Sequence, residues 1–179
     1  MSLSALDALL PLKALRRAGW VERGLSDVES VAAHAWGVSL LTVALLPEEL
    51  DLGLALSFAV LHDLAEVEVG DLTPSAGVDA TDKSERERAA MVGLCAALPS
   101  GGRLLGLWES YEAQDTPEAR FVKELDRLDM ALQAAHYRRT QGLDPSDFFD
   151  SSERVIRSPQ LRALLEALLG DHQGSAPPP

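Results

Sequence analysis

Cysteine, aromatic residues and positive charge are all scarce in this sequence. The single cysteine, Cys95, excludes an intrachain disulfide bond, and its apolar helical surroundings predict a buried thiol. The 16 Lys and Arg residues are outnumbered by 28 Asp and Glu, and the net charge of −12 argues against nonspecific nucleic-acid binding. No apolar run approaches the roughly 20 residues of a membrane span, and the N-terminus lacks the pattern of a secretory signal. We therefore expect a cytoplasmic protein with no nucleic-acid partner and no membrane partner.

The residues that are abundant favour helices. Alanine, leucine, glutamate and arginine are common, and no segment alternates between apolar and polar positions as a half-buried strand would. With 179 residues, 46% of them apolar, the chain is long enough for one domain with a sizeable core. We predict an all-α, single-domain helical bundle over residues 1–170 and a polar, proline-rich, flexible tail over residues 171–179.

Apolar residues spaced three and four positions apart predict where the helices lie. The predicted helices cover residues 3–10, 11–17, 28–46, 52–69, 103–112, 117–141 and 158–169, with one more from Asp82 or Ser84 to about residue 98. Thr116 is expected to cap the longest of them. Residues 144–150 are expected to form a turn or a short helix, and the glycine-containing segment 70–82 is expected to form a loop.

Two histidines stand in unusual surroundings. His34 falls on the apolar face of helix 28–46, where a lone histidine would be an ordinary core residue, but the dipeptide His62-Asp63 follows a second apolar segment. Burying an ionised carboxylate is costly unless a cation or hydrogen bonds compensate it, and a divalent ion held by imidazoles and carboxylates provides that compensation. Helix 117–141 carries two further aspartates, Asp126 and Asp129, and helical periodicity alone does not choose between them.

This ligand chemistry predicts one divalent transition metal. Two nitrogens and two carboxylates suit Mn, Co, Fe, Ni or Zn better than Ca, and a second ion would need histidines that the chain lacks. Two acidic residues follow close to such a site. Glu66 comes one helical turn after His62, and Asp71 stands at the exit of the same predicted helix.

Four stretches of the sequence resemble one family of enzymes. They are residues 19–23, residues 29–34, residues 62–74 with the pattern His-Asp-x-x-Glu-x-x-x-Gly-Asp, and residues 121–129. The order His34, His62-Asp63, then a late helical aspartate is similar to the His…His-Asp…Asp motif of the HD-domain superfamily of metal-dependent phosphohydrolases. The likeness is closer to its branch of 5'-deoxynucleotidases. It implies an HD-type helical bundle with a central metal and hydrolysis of a phosphate monoester, above all 5'-dephosphorylation of deoxyribo- or ribonucleoside monophosphates.

The resemblance also implies roles for individual residues. The positions that match the metal ligands are His34, His62, Asp63 and Asp126. Glu66 and Asp71 match the acidic residues of the catalytic site, with Glu66 as the general base and Asp71 either orienting the sugar hydroxyl or protonating the leaving oxygen. The expected substrate-binding residues are Arg17, Trp20, Arg23 and Lys123.

One departure from the family pattern concerns the contact with phosphate. The bacterial enzymes carry an Arg-Trp pair, whereas Gly19 precedes Trp20 here, and the Arg-x-Gly-Trp order of eukaryotic-like relatives makes Arg17 the substitute. Arg23 is the other candidate for this contact. Trp20 could instead be a core tryptophan, and Lys123 could be an ordinary charge on a helix surface.

Other functions stay open on sequence alone. A phosphodiesterase of cyclic nucleotides or of ppGpp-like molecules, or a hydrolase of another small phosphate, would carry the same motif. So would a non-catalytic helical module that uses its metal for structure or for ligand sensing. Segment 70–82 is either a mobile flap over the site or an ordinary surface loop. A homodimer is common among relatives, and apolar helix surface beyond the core would favour one.

Overall fold

The computed structural model describes the backbone of residues 3–174 and the side chains of residues 3–73 and 75–170. The helices are α1 (Leu3–Asp7), α2 (Ala18–Val21), α3 (Val31–Leu45), α4 (Leu52–Leu61), α5 (Glu66–Val69), α6 (Ala80–Ala96), α7 (Gly101–Ala113), α8 (Pro117–Gln141), α9 (Ser146–Val155) and α10 (Pro159–Gly174). Two 3₁₀ turns lie at Leu10–Lys13 and Pro74–Ala76. No strand is present within residues 3–174, so the predicted all-α fold is confirmed. No helix in this part of the chain is both long and apolar enough to cross a membrane.

The main helices begin where side-chain oxygens accept hydrogen bonds from backbone N–H groups that have no partner inside the helix. Caps of this kind start α3, α4 and α8 at Ser30, Asp51 and Thr116. The predicted cap at Thr116 is therefore confirmed. Helix α6 begins earlier than predicted, because Asp79 accepts the N–H of Thr81 and no cap forms at residue 82 or 84.

Helices α3, α4 and α8 form the centre of the bundle. Val38 of α3, Phe58 of α4 and Leu125 of α8 are completely buried in the core that these three helices share. Burying each of these side chains contributes about 1.5–3 kcal/mol to the stability of the fold. Helices α9 and α10 pack on α8, with Ile156 buried between α9 and α10. A smaller apolar cluster joins α6 and α7 and contains Cys95, which is a buried thiol as predicted.

The predicted helix over residues 52–69 is interrupted, and the interruption forms part of the site. Helix α4 ends at Leu61, and a tight turn over residues 62–65 separates it from α5. In this turn the N–H of Leu64 bonds the carbonyl of Leu61, and the N–H of Glu66 bonds that of Asp63. Such bonds to the third residue back overwind the backbone. His62, Asp63 and Glu66 therefore leave the chain in directions that a continuous helix would not give.

The predicted helix over residues 11–17 is also wrong beyond its first turn. The 3₁₀ turn ends at Lys13, and the following residues run extended alongside the segment before α3. Arg16 forms a β-bridge with Ser30, and the N–H of Arg17 donates to the carbonyl of Glu29 over 3.1 Å. These bonds to another segment replace the intrahelical bonds that the pattern predicted. They fix Arg17 next to the start of α3.

The C-terminal helices are longer than the sequence predicted. The expected turn or short helix at residues 144–150 is the 10-residue helix α9, because Phe148 and Phe149 both face the core. Helix α10 continues to Gly174. The remainder of the predicted tail, residues 175–179, lies outside the described residues.

Candidate metal centre and active-site cavity

Four side chains from two helices and one turn meet near the middle of the bundle. The Nε2 atoms of His34 on α3 and of His62 in the turn after α4 are 3.3 Å apart. Asp63 Oδ2 lies 3.2 Å from the His62 Nε2 and 3.7 Å from the His34 Nε2. One potential ligand atom each from His34, His62 and Asp63 all fall within 4.8 Å of one another. Asp126 of α8 adds an oxygen 3.2 Å from the His34 Nε2.

Both imidazole rings are oriented by a hydrogen bond at Nδ1, the nitrogen that points away from the centre. His62 Nδ1 lies 2.8 Å from the carbonyl oxygen of Ala59, and His34 Nδ1 lies 2.8 Å from Asp129 Oδ2. Because these oxygens only accept, each Nδ1 carries the proton, and in a neutral ring Nε2 is then a lone-pair acceptor. Two such nitrogens face each other beside two carboxylate oxygens. Acceptors that converge in this way repel one another unless a cation lies among them, so the donor set fits a metal ion.

The sequence left the choice between Asp126 and Asp129 open. In the structure both aspartates contact His34, but from opposite sides of the ring. Asp126 faces the Nε2 that points into the centre, and Asp129 faces the Nδ1 that points away from it. Asp126 is therefore the better placed of the two to reach an ion at Nε2, and its role as a ligand stays a prediction.

The charge balance of the centre favours a cation. Without a metal, burial and the nearby Arg17 would lower the pKa of His34, but hydrogen bonds with Asp126 and Asp129 raise it to about 10. A proton then takes the place on Nε2 that an ion would occupy. Burial alone would raise the pKa of Asp63, but its interactions with His62 and the charge of Arg17 outweigh burial and hold that pKa well below its usual range. The carboxylates therefore stay ionised inside the protein, as metal ligands must be.

A second group of acidic residues surrounds Arg17 next to the metal centre. Its Nη1 lies 3.1 Å from Asp63, 3.8 Å from Asp71 and 4.0 Å from Glu66. Burial raises the pKa of Glu66 to about 10, and the charges of Asp63 and Asp71 add to that effect. The Oε2 atom of Glu66 is buried and has no hydrogen-bond partner among the described residues. Glu66 thus presents an unused oxygen beside the centre.

A cavity of about 920 Å³ opens over this centre. Its wall includes Asp63, Glu66 and Asp126 on the metal side, and the loop after α5 together with α6, α8 and α9 on the others. This volume suits a small organic ligand. The mixed lining of carboxylates, cations and a few apolar groups suits a ligand that has both an anionic and an apolar part.

The structure places the other predicted site residues at different depths of the cavity. Lys123 approaches Asp126 Oδ2 over 3.0 Å, so it lies at the metal centre. The Asp71 carboxylate is bonded to the start of α2, because its Oδ2 accepts the backbone N–H of Ala18 over 2.7 Å. Arg23 lies at the outer end, where it pairs with Asp147 over 2.9 Å.

Trp20 touches the cavity but is only 1% exposed. Its ring lies 4.1 Å from that of Phe148, and its Nε1 donates to Glu29 over 3.0 Å. These contacts match the core tryptophan that the sequence left as the alternative. They leave little of the ring for a ligand.

Several residues that line the cavity were not predicted from the sequence. Lys83 of α6 donates to the carbonyl of Leu72 over 3.3 Å, and Arg127, Phe148 and Arg154 come from α8 and α9. A lysine or arginine on an amphipathic helix carries no local signal of this role. Only the path of the loop and the packing of α9 on α8 bring these side chains to the cavity.

The fold and the centre together define a class of protein, a helical bundle whose His and Asp side chains could hold a metal ion beside a ligand cavity. Comparison with known proteins gives the family. The family model described as HD domain matches residues 10–168, and the chain belongs to this family. It is a family of metal-dependent hydrolases, and this chain is an enzyme of that kind.

Curated relatives extend the likeness over most of the chain. The chain is 37% identical over 161 residues to the 5'-deoxynucleotidase HDDC2 of Danio rerio, covering 88% of this chain and 80% of that protein. It is 34% identical to the protein of the same name from Homo sapiens, covering 88% and 79%.

Solved structures share the architecture. A conserved hypothetical protein from Pyrococcus furiosus superposes with a TM-score of 0.78 at 32% identity, covering 93% of this chain and 98% of that one. A predicted metal-dependent phosphohydrolase from Magnetospirillum magnetotacticum gives a TM-score of 0.70 at 26% identity, covering 98% and 94%.

Proposed function

We propose that this protein is a metal-dependent 5'-nucleotidase that hydrolyses the phosphate monoester of deoxyribo- or ribonucleoside monophosphates. The observation that carries the proposal is the cluster of His34, His62 and Asp63, with Asp126 3.2 Å from His34, beside a cavity that also holds Arg17. Relatives that bear the name 5'-deoxynucleotidase match 88% of the chain, which supports the choice of substrate.

The residues that would hold the metal are His34, His62, Asp63 and Asp126. With two nitrogens and two oxygens, this set suits Mn, Co, Fe, Ni or Zn. Such an ion supplies positive charge for the phosphate oxygens and makes a coordinated water more acidic. Four protein ligands leave coordination positions for substrate and water.

Glu66 is the proposed general base. Its side chain is buried beside Asp63, and its free Oε2 is a candidate acceptor for the proton of an attacking water. Without a metal the pKa of Glu66 is raised to about 10 by burial, by Asp63 and by Asp71, so the group is neutral at pH 7. Added positive charge next to Asp63 opposes that shift. An ion at the centre would therefore favour the ionised form of Glu66 that a general base needs.

Arg17 is the proposed phosphate ligand. Its guanidinium lies between Asp63, Glu66 and Asp71 and on the cavity wall, where its remaining N–H groups suit the oxygens of a phosphate. Lys123, held at 3.0 Å from Asp126, adds positive charge on the same side.

Asp71 keeps its two proposed roles, orienting the sugar hydroxyl or protonating the leaving oxygen. Its Oδ2 accepts the N–H of Ala18 and its Oδ1 lies 3.8 Å from Arg17, and these contacts fix the carboxylate next to the proposed phosphate ligand. Arg23, farther out, would contact the sugar or the base, whereas the buried Trp20 would support the cavity wall through its contact with Phe148.

A phosphate-release screen tests the proposal. Metal-stripped protein is reloaded separately with Mn, Co and Zn, and inorganic phosphate is measured with deoxyribo- and ribonucleoside 5'-monophosphates, a 3'-monophosphate and a cyclic diester. We expect release from the 5'-monophosphates in the presence of at least one metal. Activity on the diester alone would overturn the proposal.

The matched variant in the screen is Glu66→Gln, which keeps the shape of the side chain and removes the base. We expect turnover to fall about 10²–10⁴-fold while bound metal stays at the wild-type level. Wild-type turnover in Glu66→Gln would remove the assigned role of Glu66 and leave the substrate class standing.

We also propose that the protein is a homodimer through the outer face of α3. Trp36, Leu40 and Val43 recur on one side of this helix and are 68%, 51% and 58% exposed. A stripe of this kind on a soluble enzyme marks a surface that is covered by a partner. Light scattering after size exclusion would give the mass, and Trp36→Glu should convert a dimer into a monomer. A monomeric wild type would overturn the proposal.

A further inference from the structure

We infer that Asp129 is a positioning residue that aligns His34 with the metal, and that Gly37 is a glycine in order to leave room for it. The inference rests on the proposed metal centre and extends it to two residues that do not contact the ion. It is carried by the geometry of the contact between α3 and α8, where the two helices meet behind the His34 ring.

The first observation is the clamp that two residues of α8 form around one imidazole. Asp126 lies 3.2 Å from Nε2 of His34, and Asp129, three residues later, lies 2.8 Å from Nδ1. The ring itself is fully buried. A carboxylate that accepts the Nδ1–H of a metal-binding histidine fixes its tautomer, prevents rotation of the ring and makes Nε2 a stronger ligand.

The second observation is independent and concerns Gly37. A Cβ atom built on Gly37 would lie 2.4 Å from Oδ1 and 3.0 Å from Cγ of Asp129. Glycine is disfavoured in the interior of a helix relative to alanine, so its presence in the middle of α3 needs a reason. The space that glycine leaves is occupied by the Asp129 carboxylate. Any side chain at this position would push that carboxylate away from His34.

The other histidine of the centre provides a contrast. His62 donates from Nδ1 to the backbone carbonyl of Ala59, an acceptor that side-chain substitutions do not remove. The orientation of His34 depends instead on one replaceable side chain. The two ligands should therefore respond differently to mutation of their surroundings, and Asp129 is the position where a substitution loosens a ligand without deleting it.

The test measures zinc affinity of the full-length, metal-stripped protein by competition with a chromophoric chelator. We expect Asp129→Ala to weaken zinc binding about 10–100-fold, and Asp129→Asn to weaken it less because an amide oxygen still accepts the Nδ1–H. Gly37→Ala should also weaken binding. In the Asp129→Ala background the same change should have no further effect on affinity, since the carboxylate that it displaces is gone.

A matched control separates this effect from a general effect of alanine in a helix. Gly106 lies inside α7, and a Cβ atom there would meet nothing within 4 Å. Gly106→Ala should leave zinc affinity unchanged. Circular dichroism melting of every variant identifies those that fail to fold, and Asp129→Asn, which conserves shape, serves if Asp129→Ala does not fold.

A spectroscopic measurement reports on the hydrogen bond itself. In zinc-loaded protein, the Nδ1–H of His34 should give a downfield proton resonance that is lost in Asp129→Ala. Folded Asp129→Ala with wild-type zinc affinity, or with this resonance intact, would overturn the inference. If Asp126→Ala loses zinc and Asp129→Ala does not, the metal centre stands and only the role of Asp129 fails. If wild-type protein binds no divalent metal, the proposed function fails as well.

Discussion

The two sides of the cavity are built in different ways. On the metal side, His34, His62 and Asp126 are 0%, 5% and 4% exposed, and they stand on, or directly after, helices that form the core. The start of the loop after α5 belongs to this side, because Asp71 accepts the N–H of Ala18 and lies 3.8 Å from Arg17. On the rim, the outer part of the loop is attached by hydrogen bonds from Thr73 and Ser75 to the exposed carboxylate of Glu22, the residue after α2. One side is fixed by burial and the other by contacts that water can replace.

This difference indicates that the metal side carries out the chemistry and that the rim accommodates the substrate. A buried polar group that loses its partner costs the full penalty of desolvation, whereas an exposed pair contributes little because water takes over. The chemistry therefore depends on the side that cannot rearrange. The rim can adapt to the sugar and the base at low cost, as loops around many active sites do.

The largest effect should come from removing a carboxylate on the metal side. We expect Asp126→Ala to lose stoichiometric metal and to lower kcat/KM by at least about 10³-fold, because a bound ion contributes several kcal/mol to the stabilisation of developing charge. Metal content by mass spectrometry and phosphate release would be measured on the same sample.

A matched exposed acid provides the control for Asp126→Ala. Asp82 on α6 pairs with Arg86 over 2.6 Å on the surface, and Asp82→Ala should keep both metal and activity. Wild-type metal content in Asp126→Ala would show that the centre has a different ligand set.

The next effect compares the two arginines that the sequence could not separate. Arg17 lies on the buried side among three carboxylates, and Arg23 lies on the rim paired with Asp147. We expect Arg17→Ala to raise KM about 10–100-fold through the loss of charged hydrogen bonds to phosphate. Arg23→Ala should change KM by at most about fivefold. Steady-state kinetics on both variants decide between them, and the reverse order would move the phosphate contact to the rim.

The sequence predicted the parts of this architecture that depend on local signals. Helical periodicity gave the all-α fold and the long helix α8, and Thr116 before Pro117 marked its start. Chemistry gave the buried His34 and the His62-Asp63 pair. Likeness to the family chose Asp126 over Asp129, which the spacing of apolar residues left open.

The errors arose where tertiary contacts override local preference. The chain around Arg17 follows an extended path because its backbone bonds to Glu29, a partner that no helical pattern contains. The break after Leu61 is similar, because a run of helix-forming residues gives no warning of bonds to the third residue back. The role of Asp129 required knowledge of where α8 lies relative to α3.

A further effect of intermediate size follows from the raised pKa of Glu66. In the metal-free protein, burial and two neighbouring carboxylates raise this pKa from 4.5 to about 10. Between these values the folded protein keeps a proton that the unfolded chain has released, so the contribution of Glu66 to stability falls as pH rises through this range. In Glu66→Gln the side chain does not titrate, so this pH-dependent loss of stability should be absent.

Melting temperatures of metal-free protein from pH 5 to pH 9 test this coupling. We expect the wild type to lose more stability than Glu66→Gln over that range, so that the variant becomes the more stable of the two at high pH. Parallel curves would mean that Glu66 is not buried among charges as the structure has it.

The smallest effect should come from the rim. Thr73 and Ser75 donate to the two oxygens of Glu22 over 2.7 and 2.5 Å, and these bonds join the outer part of the loop to the residue after α2. Because the carboxylate is exposed, Glu22→Ala should raise KM by at most about fivefold and leave bound metal unchanged. The change should be equal for substrates with different bases, since the loop, and not a base contact, is what moves. A rise of 100-fold in KM would place the rim among the parts of the site that cannot rearrange, and the contrast between the two sides would no longer hold.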